Sequence, residues 1–206
     1  LTGAGRAFCA GGDLGYLESL NDDKKRKAFI ERVGEMTLKL RNCAKPVIGM
    51  INGVTAGAGV NLMFACDIVC SSEDAKFIQS FVNVGLVPDC GGMYLLKETV
   101  GLQKAKELMF TADVISAQEA EKLKMVMHVY TKEDLKIETE KIAQKIAQGA
   151  PMAIMYMKKM LNKSYANLKD FLDEEALVQT FCLGTEDCKE GILAFKQKRQ
   201  PNFQGK

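Results

Sequence analysis

The stretch Lys45-Pro-Val-Ile-Gly-Met-Ile-Asn-Gly-Val-Thr-Ala-Gly-Ala-Gly-Val-Asn-Leu-Met-Phe-Ala-Cys-Asp-Ile-Val-Cys70 decides the fold. Val47–Ile51 and Asp67–Cys70 are short, β-branched apolar runs bounded by turn residues, which predicts two buried strands. Between them, Asn52–Gly59 is rich in glycine and leads into the apolar run Val60–Cys66. That order predicts a tight turn opening a buried helix. Strand, turn, helix and strand in succession point to an α/β core.

Working outward, Leu17–Leu40 is charged, with Leu20, Ile30, Val33 and Leu40 at helical spacing, and predicts a loop leading into a surface helix. Phe77–Pro88 is aperiodic and reads as a strand end followed by an irregular segment. Beyond it helices dominate: Gly91–Val100, Leu102–Phe110, Ser116–Leu123, Leu135–Gln148, Pro151–Met160, Asp170–Phe181 and Glu190–Lys198. Ser116 and Glu119 have the spacing of a capping box, in which each side chain reaches a free amide of the first turn. Pro151 suits a first helical position, because the N–H it lacks has no partner there. The expected organisation is an α/β core over 1–135 and a helical C-terminal region over 136–206 that serves assembly.

Composition narrows the function. With 206 residues the chain is long enough for one domain and an appended element. Twenty-eight basic against 26 acidic residues leave a net charge of +2, too weak a field to recommend nucleic acid or an anionic membrane as a partner. His128 is the only histidine, which excludes a multi-histidine metal site or catalytic centre. Seven cysteines without a CxxC pair read as free thiols in a reducing compartment, so no structural metal is expected and the cytoplasm is the expected location. No basic leader precedes Leu1, and the apolar runs stop short of the roughly 20 residues a membrane helix needs. An opening at Leu1-Thr2-Gly3 reads as the inside of a strand, so an N-terminal portion is expected upstream.

Two glycine-containing turns, Gly3–Asp13 and Gly53–Gly59, are the first candidates for chemistry. Small residues let backbone N–H groups approach a ligand, and two such turns can aim two amides at one oxygen as an oxyanion hole. Tight packing turns are the plainer alternative. Neither has the spacing of a dinucleotide or phosphate loop.

Asp89 is the carboxylate that stands out. It lies near Phe81, Val84, Leu86 and Val87 in sequence, where desolvation would suit it to proton transfer, but a helix N-cap is its ordinary role at that place. Asp13 and Asp67 read as turn and cap residues. Cys9 and Cys90 read as packing residues, since no histidine neighbours them in sequence. His128 is expected to face outward on an edge strand. Lys196, Lys198 and Arg199 read as a solvated helix face, with phosphate contact as the alternative.

Taken together, Phe8-Cys-Ala-Gly-Gly-Asp-Leu14, Lys45–Val47 with Ile51–Gly59, Ala65-Cys-Asp-Ile68, Ala75-Lys-Phe77, Gly85-Leu-Val-Pro-Asp-Cys-Gly-Gly92 and the closing Glu190–Phe203 segment resemble the crotonase (enoyl-CoA hydratase/isomerase) superfamily. The resemblance covers essentially the whole chain. It implies a spiral of ββα units with a C-terminal helical region that builds a homotrimer, commonly paired into a hexamer. It implies an acyl-CoA thioester as the bound partner, with coenzyme A entering as part of the substrate and no separate cofactor. By the same resemblance, the amides of Gly12 and Ala58 hold the thioester oxygen, and Ala10 with the adjoining turn through Asp13 shapes the adenine and pantetheine pocket. Phe195 and Lys198 match residues that touch the CoA nucleotide.

Departures from the family pattern point to the reaction. Where family hydratases carry two water-activating glutamates, this chain has Asn61 and Phe81, which match substrate-site positions but cannot exchange protons as carboxylates. Asp89 matches the acid position of certain family isomerases. The Leu86–Gly92 segment and the ending Pro201–Lys206 match most closely the isomerase branch that acts on a ring-epoxide CoA thioester. The expected activity is therefore enoyl-CoA isomerisation. Hydration, ring-epoxide rearrangement and dehalogenation at the same site stay as alternatives, as does a non-catalytic CoA-binding role.

Overall fold

The computed structural model describes residues 1–206, and the chain divides into two compact units. The first comprises Leu1–Arg41 with Val47–Thr139, and the second Asn42–Pro46 with Glu140–Lys206.

The first unit is an α/β fold built on two small sheets. One has the order β1 (Ala7–Cys9), β3 (Val54–Ala56), β5 (Lys76–Ile78), β6 (Ile115–Ser116); the other is β2 (Ile48–Ile51), β4 (Ile68–Ser72), β7 (His128–Tyr130). All pairings are parallel except β5 with β6. Successive strands alternate between the sheets and then meet a helix: β2, β3 and α3 (Ala58–Phe64), then β4, β5, a 3-10 turn over Ser80–Val84 and α4 (Gly92–Val100). This alternation is the ββα step that the resemblance implies. The core between these elements contains Ile51, Val60, Met63, Phe77, Leu96 and Val126, all fully enclosed. Parallel strands covered on both faces need continuous apolar runs, and β2 and β4 have them.

Several local readings hold. The strands at 48–51 and 68–72, the helices α5 (Leu102–Thr111), α6 (Ala117–Lys122) and α7 (Leu135–Ala147), and Pro151 as the first residue of α8 (Pro151–Leu161) all follow the pattern of the sequence. His128 is exposed on β7, the edge of its sheet.

Others are corrected. The turn predicted over Asn52–Gly59 contains strand β3, because Val54–Ala56 finds partners on both sides, in β1 and β5. The loop predicted before the surface helix holds helix α1 (Leu14–Ser19), capped by Asp13 accepting from Tyr16 N at 3.0 Å, ahead of α2 (Asp23–Arg41). Half of the capping box at α6 forms: Ser116 Oγ accepts from Glu119 N at 3.2 Å, while the Glu119 carboxylate lies 3.7 Å from Lys104 Nζ. Asp67 accepts from Val47 N at 2.6 Å and so ties the start of β2 to the start of β4.

The second unit is helical. After the end of α7 and α8 come α9 (Leu168–Leu183) and α10 (Glu186–Gln197). The final residues fold back on α10: Asp187 accepts from Gln204 N at 2.6 Å and Gly205 N at 2.8 Å. Glu190 accepts from Asn202 N at 2.8 Å and from both terminal nitrogens of Arg199 at 2.6 and 2.8 Å. The basic run at the chain end is therefore not uniformly open, since Arg199 is paired. The Arg199 hydrogen bonds, then the Asn202 amide, hold the Glu190 carboxyl down at about 2. A depressed carboxyl pKa contributes stability that is present above its ordinary value of 4.5 and is lost as pH falls through about 2. The Asn202 amide resonance is thus expected to stay in place when pH is lowered past 4.5 and to move only near 2. A transition centred near 4.5 would show that the clamp does not form.

No helix is long and apolar enough to cross a membrane. All seven cysteines are free thiols, and no group of three His, Cys, Asp or Glu side chains is placed to hold a metal ion.

Candidate active site

The site is assembled where the end of β1, the start of α3 and the segment before α4 converge. Cys9 ends β1 and Gly59 lies in the first turn of α3. A Cβ on Gly59 would lie 2.3 Å from Cys9 O, so the two elements meet backbone to backbone. Just after β1, Gly11 adopts φ +103, a conformation that favours glycine, and its missing Cβ would lie 3.2 Å from Ala56 O and 3.9 Å from Ala58 N. The two glycine turns singled out in the sequence are thereby brought together. Gly12 follows on the exposed side of the first turn, between Ala10 and Asp13, which are also exposed. Ala58 is the first residue of α3, where a backbone N–H has no carbonyl one turn earlier to bond.

Asn61 stands one helical turn after Ala58. It is fully buried, accepts from Gln79 Nε2 at 2.8 Å through Oδ1 and donates from Nδ2 to Asp89 O at 3.0 Å. Both ends of its carboxamide are thus engaged inside the protein. Phe81 is buried nearby in the 3-10 turn, its ring reaching within 3.7 Å of where a Cβ on Gly57 would stand.

Asp89 is not a helix cap. The N-cap of α4 is Gly91, in the left-handed region at φ 72, and no side chain caps that helix. Asp89 is half-buried, and its Oδ1 is enclosed and accepts no hydrogen bond from the protein. The expected apolar surround is only partly present. Val84, Leu86 and Val87 point outward, Val87 with 72% of its surface exposed, and of the four only Phe81 is enclosed. The reason is the 3-10 turn, which ends in left-handed Gly85 and turns the following residues away from the core.

The neighbouring thiol records the environment. Cys90 is buried, and its pKa is pushed up to about 12, first by burial, then by the charge and hydrogen bonding of Asp89, with a smaller contribution from Cys9. A thiol held that high stays protonated at neutral pH and is no nucleophile. The packing role expected of Cys90 stands.

Gln79 and Thr37 were not singled out by the sequence. Gln79 follows β5 and is only 3% exposed. Thr37, the one buried residue of α2, donates from Oγ1 to Cys90 O at 3.0 Å. A polar residue on the buried stripe of a surface helix was the available signal for Thr37; Gln79 had none.

In the second unit, Phe195 is 87% exposed near the end of α10 and Lys198 is its left-handed C-cap at φ 52. A cavity of about 340 Å³ in that unit is lined by Met152, Ile192, Phe203 and Asp187 among others, but Asp187 is occupied by the Gln204 and Gly205 amides. No free acid–base group serves it.

The pattern of the enoyl-CoA hydratase/isomerase family matches residues 1–206. The chain is 36% identical over 210 aligned residues to the 1,2-epoxyphenylacetyl-CoA isomerase of Escherichia coli K12, covering all of this chain and 80% of that protein. It is 34% identical over 206 residues to the crotonyl-CoA hydratase of Syntrophomonas wolfei, covering 98% of this chain and 78% of that one. The crystal structure of an enoyl-CoA hydratase from Bacillus anthracis superposes with a TM-score of 0.95 at 34% identity, over 100% of this chain and 80% of that chain. On the family match, these relatives and the shared fold, the chain belongs to the enoyl-CoA hydratase/isomerase family.

Proposed function

We propose that this protein is an enoyl-CoA isomerase with Asp89 as its single acid–base group. The observation that carries the reading is the Asp89 carboxylate itself. It has an enclosed oxygen that no protein donor occupies, while the two positions matched to hydratase glutamates hold a fully engaged Asn61 and an apolar Phe81. Syn hydration needs a group that positions and deprotonates water, and neither residue does so.

In the proposed step, Asp89 removes a proton from C2 of a 3-enoyl thioester. The electron pair of that C–H bond passes toward the thioester, whose oxygen gathers negative charge and rests on the Gly12 and Ala58 amides. The resulting dienolate takes the proton back from the Asp89 carboxyl at C4, and the double bond ends between C2 and C3, in conjugation. Asp89 returns to the carboxylate, so no co-reactant is needed. On the same reading Ala10 and Asp13 contact the coenzyme A portion, and Phe195 and Lys198 supply contacts to its nucleotide in the assembled oligomer. The second unit serves homotrimer or hexamer assembly: α9 buries none of its residues, leaving Leu168, Leu172, Leu177 and Leu183 exposed.

The test is turnover of 3-enoyl-CoA and 2-enoyl-CoA by the purified protein. Isomerisation of the first without matching hydration of the second is expected. Hydration of the 2-enoyl thioester with no isomerisation overturns the reading, and binding of both with neither reaction favours a non-catalytic CoA-binding protein.

A further inference from the structure

We infer that Gln79 and Asn61 are positioning residues that act on Asp89 in series, fixing its backbone so that the proton taken at C2 is the one delivered to C4. This rests on the isomerase reading above.

The chain of contacts runs in one direction. Gln79 Nε2 donates to Asn61 Oδ1 at 2.8 Å, and Asn61 Nδ2 donates to Asp89 O at 3.0 Å. A carboxamide has an acceptor end and a donor end, so a donor against Oδ1 obliges Nδ2 to face the other way. The Asp89 carbonyl can only accept, so it takes the Nδ2 end, and Gln79 Nε2 satisfies the Oδ1 end left facing it. With Gln79 removed, that oxygen is left buried without a donor, and the carboxamide loses the contact that seats it against the Asp89 carbonyl.

The segment held by this attachment follows an unusual backbone path. Cys90 and Gly91 both lie at positive φ, 49 and 72, and for Cys90 that conformation persists only when its surroundings enforce it. Three bonds enforce it: Asn61 and the Gly92 N–H, at 2.8 Å, on the Asp89 carbonyl, and Thr37 on the Cys90 carbonyl. The root of Asp89 is thus fixed while its Oδ1 accepts nothing. A shuttle that serves two carbons in turn needs that combination, because a base that wanders exchanges its proton before returning it.

Core packing does not account for Gln79. Its Oε1 is buried and accepts no hydrogen bond from the protein, which is destabilising relative to an apolar side chain of the same shape. What favours a glutamine there is its other end, which satisfies the buried Asn61 Oδ1.

The experiment replaces Gln79→Met and follows isomerisation in D2O. Wild-type enzyme is expected to deliver part of the original protium to C4. In the variant that retained fraction falls, and kcat drops about 10- to 100-fold with KM little changed. In an Asn61→Leu background the same change adds nothing further. Thr37→Val, which releases the Cys90 carbonyl, is expected to lower protium retention independently. Unchanged kcat and retention in Gln79→Met, or a wild-type product fully deuterated at C4, would each overturn the inference. If Asp89→Asn is inactive while Gln79→Met behaves as wild type, only the positioning role fails; if Asp89→Asn is active, the isomerase reading beneath it fails.

Discussion

On the proposed mechanism, Asp89→Asn is expected to lower 3-enoyl-CoA isomerisation by about 10²–10⁴, the share of rate that a general acid–base group supplies, without loss of fold. The fold is expected to survive because asparagine keeps the shape of the side chain and an oxygen that can still accept from Cys90. The N-cap of α4 is Gly91 with no side-chain cap, and the Asp89 contacts to Asn61 and Gly92 use its main-chain carbonyl, which asparagine retains. The Oδ1 atom is enclosed without a donor, so removing the charge relieves a desolvation cost and the melting temperature should hold or rise. A second readout comes from Cys90. Its thiol sits at about 12 partly because of the Asp89 charge, so thiol titration should shift downward in the variant, though not to the ordinary 9.0, since burial is the largest cause and remains. An Asp89→Asn enzyme with the wild-type rate would remove Asp89 from the reaction.

The second large effect is expected from Gly59→Ala. The added Cβ would lie 2.3 Å from Cys9 O, 2.8 Å from Cys9 Cβ and 3.0 Å from Cys9 C. Two of these are backbone atoms, so no side-chain rotation makes room, and β1 and the start of α3 must separate. Overpacking of this kind costs about 1–3 kcal/mol of stability. The functional loss should be greater, because the elements forced apart carry the Gly12 and Ala58 amides, and loss of one oxyanion donor reduces kcat by about 10²–10³. Gly34→Ala is the control. Gly34 lies within α2 with no atom within 4 Å of an added Cβ, so alanine there should stabilise the protein by up to about 1 kcal/mol and leave the rate unchanged. Calorimetry with steady-state kinetics on both variants separates packing from catalysis. A Gly59→Ala enzyme of full activity would mean that the amide pair does not bear charge.

The contrast between Asp89 and Gly12 shows how much of the site was legible. The glycine turns could be found because a tight turn leaves a local trace, glycine where a side chain would collide or where φ is positive. Asp89 could be found as a residue but not as a role, since a carboxylate just before a helix is an N-cap by default, and only the backbone path through Cys90 and Gly91 moves the cap elsewhere. The apolar neighbours suggested by sequence proximity mostly face away, and the enclosure of Oδ1 comes from the folded surroundings of Asp89.

By itself the sequence determined the run of elements. Apolar strands at 48–51 and 68–72, the buried helix after Gly57 and the helices from α4 onward each follow from periodicity, turn residues and caps, which act over a few residues. It also excluded a multi-histidine centre. Only the tertiary structure decided that Val54–Ala56 is a strand, that Asn61 faces inward, that Gln79 bonds to it and that Thr37 holds Cys90. Those hydrogen bonds span 18, 28 and 53 residues of chain. The partner of a buried amide is chosen by which distant backbone the core brings against it, and periodicity, turns and caps carry no record of that choice.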